Sequence, residues 1–142
     1  MRAQGGFTLI EIIVVVLIIA GLATLVGPRI LDQFGKAKEK TTLTQITNLE
    51  SSIKLFKLDN GFFPETAQGL RTLIEYPTSG REPKNYAKNG YLDATNIPLD
   101  GWSNEFIYIG PDQTQNGNYE IRSIGEDGIP NTDDDISSAE IR

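Results

Sequence analysis

Residues 7–26 (FTLIEIIVVVLIIAGLATLV) are apolar except for Thr8, Glu11 and Thr24. Coiled as an α-helix, a run of this length spans about 30 Å, the thickness of a bilayer core. A short polar start, residues 1–6 (MRAQGG), precedes it, and from Arg29 the sequence becomes water-compatible. The expected organisation is therefore residues 1–6, an apolar stem over 7–28 and a polar body over 29–142. Three readings compete for the stem. A transmembrane anchor fits its length. A secretory signal peptide is disfavoured by the internal charge, the excess length and the lack of an A-x-A site. A buried core helix would carry too many apolar residues for so small a body. Orientation is contested. Arg2 lies on one side of the run and Arg29, Lys36, Lys38 and Lys40 on the other, so the positive-inside rule alone would keep the body in the cytoplasm.

Glu11 is the informative residue of the stem. A charge at mid-membrane costs roughly 2.5–3.5 kcal/mol on insertion scales, so such a residue usually has a partner. Positions 7 and 15, one turn away, are Phe and Val, so the partner must come from another chain or from a new N-terminus. A cut after Gly6 would place an α-amine on Phe7, one turn from Glu11. The bland alternative is a charge that snorkels to the interface.

Composition removes much chemistry. The 142 residues include no cysteine and no histidine, which forbids a thiol nucleophile, a disulfide, a Ser-His-Asp triad and a His/Cys zinc site. A formal charge of −6 argues against nucleic-acid binding, which depends on Lys and Arg at phosphates. A two-carboxylate hydrolase remains conceivable, but so short a body leaves little chain to form a cleft.

Beyond the stem, Leu43, Ile46, Leu49, Ile53 and Phe56 recur at helical spacing and predict one apolar face. The helix should end near Leu58, where Asp59-Asn60-Gly61 supplies a stop. Pro28 lacks an N–H and should kink or locally melt the helix near Thr24. A short apolar helix is expected through Leu73 and Ile74. Residues 105–109 and 119–124 read as strands around a turn at 110–118. Trp102, Phe63 and Tyr91 read as core or loop anchors. Residues 125–142 hold six acidic residues against one basic, nearly all of the imbalance. Within them Gly125–Ile136 (GEDGIPNTDDDI) is a loop. It is either a solvated acidic turn or a site for a hard cation that takes oxygen ligands.

Gly6-Phe7-Thr8-Leu9-Ile10-Glu11 before an unbroken apolar run resembles the processing signal of type IV pilin-like proteins. The body is similar to the major pseudopilins of type II secretion systems (the G subunit): Phe56-Lys57-Leu58-Asp59-Asn60-Gly61-Phe62-Phe63-Pro64, then Gln68-Gly69-Leu70, Gly90-Tyr91-Leu92, Asp100-Gly101-Trp102-Ser103-Asn104 and Ser123–Ile136. Phe56 and Phe63 stand where that family has tyrosine, and Gly101 where it has proline.

The resemblance implies an α+β, type IV pilin-like fold. A helix of about 50 residues, roughly 75 Å, would pack its C-terminal half on a small antiparallel sheet with a calcium-binding loop. It implies cleavage by a prepilin peptidase between Gly6 and Phe7, N-methylation of Phe7, and pairing of Glu11 with a neighbour's N-terminal amine. Ca²⁺ would be held by Asp127, Asp134 and Asp135, with carbonyls of Ile124 and Ile129 and an oxygen of Thr132, while Asp133 could compete with Asp134. The implied place is the bacterial inner membrane, single-pass, with the body in the periplasm, against the simple charge count. The implied function is a non-enzymatic core subunit of the secretion pseudopilus, a self-associated helical filament that drives folded proteins across the outer membrane. Its partners would be minor pseudopilins and the inner-membrane assembly platform, with the secretin and secreted cargo engaged indirectly. The alternative is a type IV pilin for adhesion, motility or DNA uptake, many of which close a C-terminal disulfide that zero cysteines forbid.

Overall fold

The structure is a computed structural model that describes residues 6–141. Residues 1–5 of the expected leader lie outside them. Two compact units divide the chain, Met1–Ala37 and Lys38–Arg142. One helix, α1 (Leu9–Asn60), contributes to both.

In the first unit α1 starts at Thr8, whose hydroxyl accepts the Glu11 N–H at 3.3 Å and whose carbonyl accepts those of Glu11 and Ile12. Thr8 is thus the N-cap, and Glu11 sits three residues on in the first turn, the Thr-x-x-Glu order of a capping box. The carboxylate also faces the positive end of the helix dipole. Every described stem side chain from Leu9 to Val26 is exposed in the single chain. By length and composition this helix could cross a membrane. Of the kink or local melting expected near Thr24, melting is not present: the helix runs unbroken there, and Thr24 donates its hydroxyl to the Gly21 carbonyl at 2.7 Å.

In the second unit α1 supplies one side of the core. Ile46, Leu49, Ile53 and Phe56 are buried, as their spacing predicts. The stripe departs from expectation at its start: Leu43 is half-buried and Thr42 is buried instead. Thr42 donates to the Lys38 carbonyl at 3.0 Å and accepts the Gly101 N–H at 2.9 Å, so its polar group is satisfied within the packing. The helix ends at Asn60. Gly61 turns off it at φ +80, and its N–H reaches the Lys57 carbonyl at 2.7 Å.

The predicted short apolar helix is a single 3₁₀ turn, Leu70–Leu73. The two predicted strands form at β1 (Ile107–Ile109) and β2 (Glu120–Ser123), shorter than expected at their ends. A two-residue β3 (Ile136–Ser137) adds to β2, giving an antiparallel sheet in the order β1-β2-β3. The register pairs Tyr108 with Ile121 and Ser123 with Ile136. A final turn of helix, α2 (Ser138–Ile141), follows. Phe106, Tyr108, Tyr119 and Ile121 join the α1 residues and Leu73 in one core. An aromatic group gathers on Phe56, with the Phe62 and Tyr91 rings 5.4 and 5.3 Å away in edge contacts. Phe63, its ring 4.8 Å from that of Tyr119, and Tyr91 are partly buried against this core, as the sequence suggests.

Candidate functional site

The segment between β2 and β3 is the acidic loop. Gly125 and Gly128 take positive φ, and so does Asn131 at +69, which folds the loop back on itself. That fold brings four of the expected residues to the hydroxyl of a fifth, Thr132. Thr132 Oγ1 lies 2.7 Å from Asp134 Oδ1, 2.9 Å from the Ile129 carbonyl, 3.3 Å from Asp127 Oδ1 and 3.4 Å from Asp135 Oδ1. Backbone donors also hold these carboxylates. Asp134 Oδ2 accepts from Glu126 N at 2.6 Å and Asp127 N at 3.0 Å. Asp127 Oδ1 accepts from Ile129 N and Asp135 Oδ2 from Asn131 N, both at 2.8 Å.

The chemistry of this donor set is informative. A hydroxyl carries one proton, so Thr132 can satisfy one of its four oxygen neighbours. The other oxygens, two of them carboxylate, face one another without a shared proton. A hard divalent cation that takes several carboxylate, carbonyl and hydroxyl oxygens would remove that repulsion. The set fits calcium in ligand type. Among the described residues, however, no group of three carboxylates already stands as a metal-binding cluster; their oxygens converge on the hydroxyl. The Asp134 carboxyl is held below its ordinary pKa, first by the Asp127 backbone N–H and then by the Thr132 hydroxyl.

Two expected participants stand apart. The Ile124 carbonyl takes no part in the bonds around Thr132, and Asp133 is exposed and outside them. Asp134, not Asp133, therefore occupies the position next to Thr132.

Asp100 carries more than the sequence reading gave it. It is buried, and its carboxylate accepts the Trp102 and Asn104 N–H groups at 2.9 and 2.8 Å and the Ser123 hydroxyl at 2.6 Å. The available signal was the Asp-Gly-x-x-Asn order, in which an aspartate bonds backbone groups two residues or more ahead.

At the other end of the chain Gly6 has open space around the position of a Cβ, and Phe7 is 80% exposed. The backbone at the expected cut is thus unencumbered. Glu11 lies exposed one turn beyond and forms no ion pair among the described residues.

Comparison with known proteins places both ends of this description in one family. The family model for type II secretion system protein G matches residues 29–140, and that for the prokaryotic N-terminal methylation motif matches residues 1–26. The type II secretion system core protein G of Dickeya chrysanthemi is 41% identical over 137 residues, covering 96% of this chain and 87% of that protein. Its counterpart in Escherichia coli K12 is 40% identical over 141 residues, covering 97% and 94%. Among solved structures, the major pseudopilin from the type 2 secretion system of enterohaemorrhagic E. coli superposes with a TM-score of 0.67 at 36% identity, covering 76% of this chain and 91% of that one. The matches run through the body and favour the secretion-system reading over a type IV pilin. The chain belongs to the type II secretion system protein G family, the major pseudopilins.

Proposed function

We propose that this pseudopilin is made as a precursor, cut after Gly6 by a prepilin peptidase and methylated on Phe7. Residues 7–28 then hold it in the inner membrane with residues 29–142 in the periplasm. As a member of its family it is a structural subunit rather than an enzyme. Assembly exchanges lipid for the stems of neighbouring subunits, in a head-to-tail contact that does not close and so builds a helical filament. Glu11 supplies the selective contact by pairing with the Phe7 amine of a neighbour. Minor pseudopilins and an inner-membrane platform feed this filament. Its growth moves folded proteins toward the outer-membrane secretin.

The observation that carries this reading is the start of α1: an exposed Gly6-Phe7 bond, a Thr8 cap and a carboxylate one turn on, at the head of a helix apolar on every face. Intact mass and N-terminal sequencing of the protein from membranes test it. N-methylated Phe7 at the N-terminus is expected, and an unprocessed Met1 would refute the processing.

We also propose that calcium is held by Asp127, Asp134 and Asp135, with the Ile129 carbonyl and Thr132, and with Ile124 supplying a further carbonyl. Bound there, the ion neutralises carboxylates and cross-links the loop. The crowding of four oxygens on one hydroxyl supports this assignment. The loop then clamps the C-terminus to the sheet without a disulfide.

A further inference from the structure

Asp100 is only 6% exposed, and a buried carboxylate is costly unless its lone pairs are filled. Here they are filled. Oδ1 accepts the backbone N–H groups of Trp102 and Asn104, and Oδ2 accepts the Ser123 hydroxyl at 2.6 Å and the Asn104 side-chain amide at 3.4 Å. None of these donors belongs to residues 126–136. Two of them, however, also hold Gly125. The Asn104 amide donates to the Gly125 carbonyl at 2.8 Å, and Ser123 Oγ accepts the Gly125 N–H at 3.2 Å. Both backbone groups of Gly125 are thus fixed by side chains that Asp100 itself holds.

Gly125 in turn bears on the acidic loop. Its φ is +61, and a Cβ there would overlap the Asp134 carbonyl and lie 2.6 Å from Asp134 Cγ. The bare glycine lets the Asp134 carboxylate close over the turn and take the next two N–H groups, Glu126 and Asp127. On the far side the Asp100–Asn104 segment is fastened to α1, because the Gly101 N–H donates to Thr42 Oγ1. The line from helix to loop is Thr42, Gly101, Asp100, then Ser123 and Asn104, then Gly125 and Asp134.

We infer that Asp100 is a positioning residue for the acidic loop. Through Ser123 and Asn104 it fixes Gly125, and through Gly125 it sets where the carboxylates of Asp127 and Asp134 stand. The affinity of the loop for a divalent cation therefore depends on a residue that makes no hydrogen bond to the proposed ligands. This inference rests on the calcium reading of the loop, so its test has one arm that needs the metal and one that does not.

The full-length chain in detergent micelles is titrated calorimetrically with CaCl₂. Parent, Asp100→Ala, Asp100→Asn and Asp112→Ala are compared at a temperature where circular dichroism shows each folded. Asp112 also accepts backbone and hydroxyl donors, but from Thr66, in another part of the body, so it controls for a general loss of stability. Asp100→Ala should weaken binding about 10- to 100-fold, the usual span for residues behind metal ligands. Asp100→Asn, which keeps an acceptor for the Trp102 and Asn104 N–H groups, should weaken it less. Asp112→Ala should leave it unchanged. In calcium-free protein, hydrogen exchange at the amides of Gly125, Glu126 and Asp127 should quicken in Asp100→Ala, while β1 and β2 amides keep their protection.

An unchanged Kd in Asp100→Ala, with binding abolished by Asp127→Ala, overturns the positioning role and leaves the calcium reading intact. If the parent chain binds no calcium, that reading falls, and exchange alone decides: unaltered loop amides overturn the role, and selectively quickened ones support it. Should Asp100→Ala fail to fold, Ser123→Ala and Asn104→Ala each cut one arm of the link and are read the same way.

Discussion

Gly101 lies directly on the backbone of α1: its N–H donates to Thr42 Oγ1 at 2.9 Å, and a Cβ would come within 2.7 Å of the Lys38 carbonyl carbon. Substitution at this position must push the loop off the helix. Gly101→Ala should destabilise the protein by about 1–3 kcal/mol, the usual cost of overpacking. Gly101→Pro should cost at least as much, because it also removes the donor to Thr42. Chemical denaturation of the full-length protein in micelles measures both. A parent-like midpoint for either variant would show that the helix and loop separate at no cost.

The acidic loop predicts a metal-dependent stability. A ligand that binds only the folded state adds RT ln(1 + [L]/Kd), about 2.7 kcal/mol at a hundredfold excess over Kd. The melting temperature should therefore rise with calcium and fall with chelator in the parent. Asp127→Ala and Asp134→Ala should abolish that difference, whereas Asp133→Ala, outside the bonds around Thr132, should retain it. Identical melting of the parent in calcium and in chelator would dispose of the clamp.

Asp112 predicts a pH dependence with a definite sign. Its carboxylate accepts the Thr66 N–H at 2.8 Å and the Thr66 hydroxyl at 3.0 Å. The backbone donor is the leading cause of a pKa below the ordinary 3.8. A depressed folded value means the contribution is present above the unfolded pKa and is lost as pH falls through the folded one. Asp112→Asn should thus be less stable than the parent at neutral pH, and the gap should narrow as pH drops below the ordinary carboxylate range. Denaturant midpoints at several pH values decide it; a gap that widens on acidification contradicts the assignment.

The core predicts a contrast along one helix. Phe56 is fully buried among aromatic rings, while Leu58, two residues on, is 79% exposed. Phe56→Ala should cost about 3–5 kcal/mol, and Leu58→Ala should stay within roughly 0.5 kcal/mol. Comparable losses in the two variants would mean that Leu58 is covered in the folded protein.

Glu11 predicts a separation of insertion from assembly. Glu11→Val removes the carboxylate while lengthening the apolar run, so membrane fractionation should be unchanged and filament yield after overproduction should fall sharply. Filaments at parental yield would remove the pairing role. The same variant also tests the helix start, since Glu11 stands third after the Thr8 cap.

The parts of this fold that repeat were legible in the sequence, and the parts that do not repeat were not. The face Ile46, Leu49, Ile53 and Phe56 and the stop at Gly61 follow from period and φ. β3 and α2 carry no such pattern. They are fixed by Ser137 and Ser138, whose hydroxyls bond Glu120 Oε1 and the Ile121 N–H at 2.8 and 2.9 Å. Buried serines look like loop residues until their partners across the sheet are known. Thr42 displaced Leu43 from the buried stripe for a similar reason: its hydroxyl answers Gly101, far away in sequence. In the acidic loop the residue types could be read, but not their distances. Convergence on Thr132 depends on three positive φ angles and on Gly125, which is fixed from outside the loop.

The stem of α1 has a geometric consequence of its own. A surface that is apolar all the way round has no stripe, so greasy contact alone gives a neighbour no reason to prefer one azimuth or one axial step over another. Only Thr8, Glu11 and Thr24 interrupt that surface between residues 7 and 26. The threonines turn their hydroxyls inward, Thr8 accepting from Glu11 N and Thr24 donating to the Gly21 carbonyl. What remains is a nearly featureless rod with one marked point, the Glu11 carboxylate, like a shaft with a single keyway.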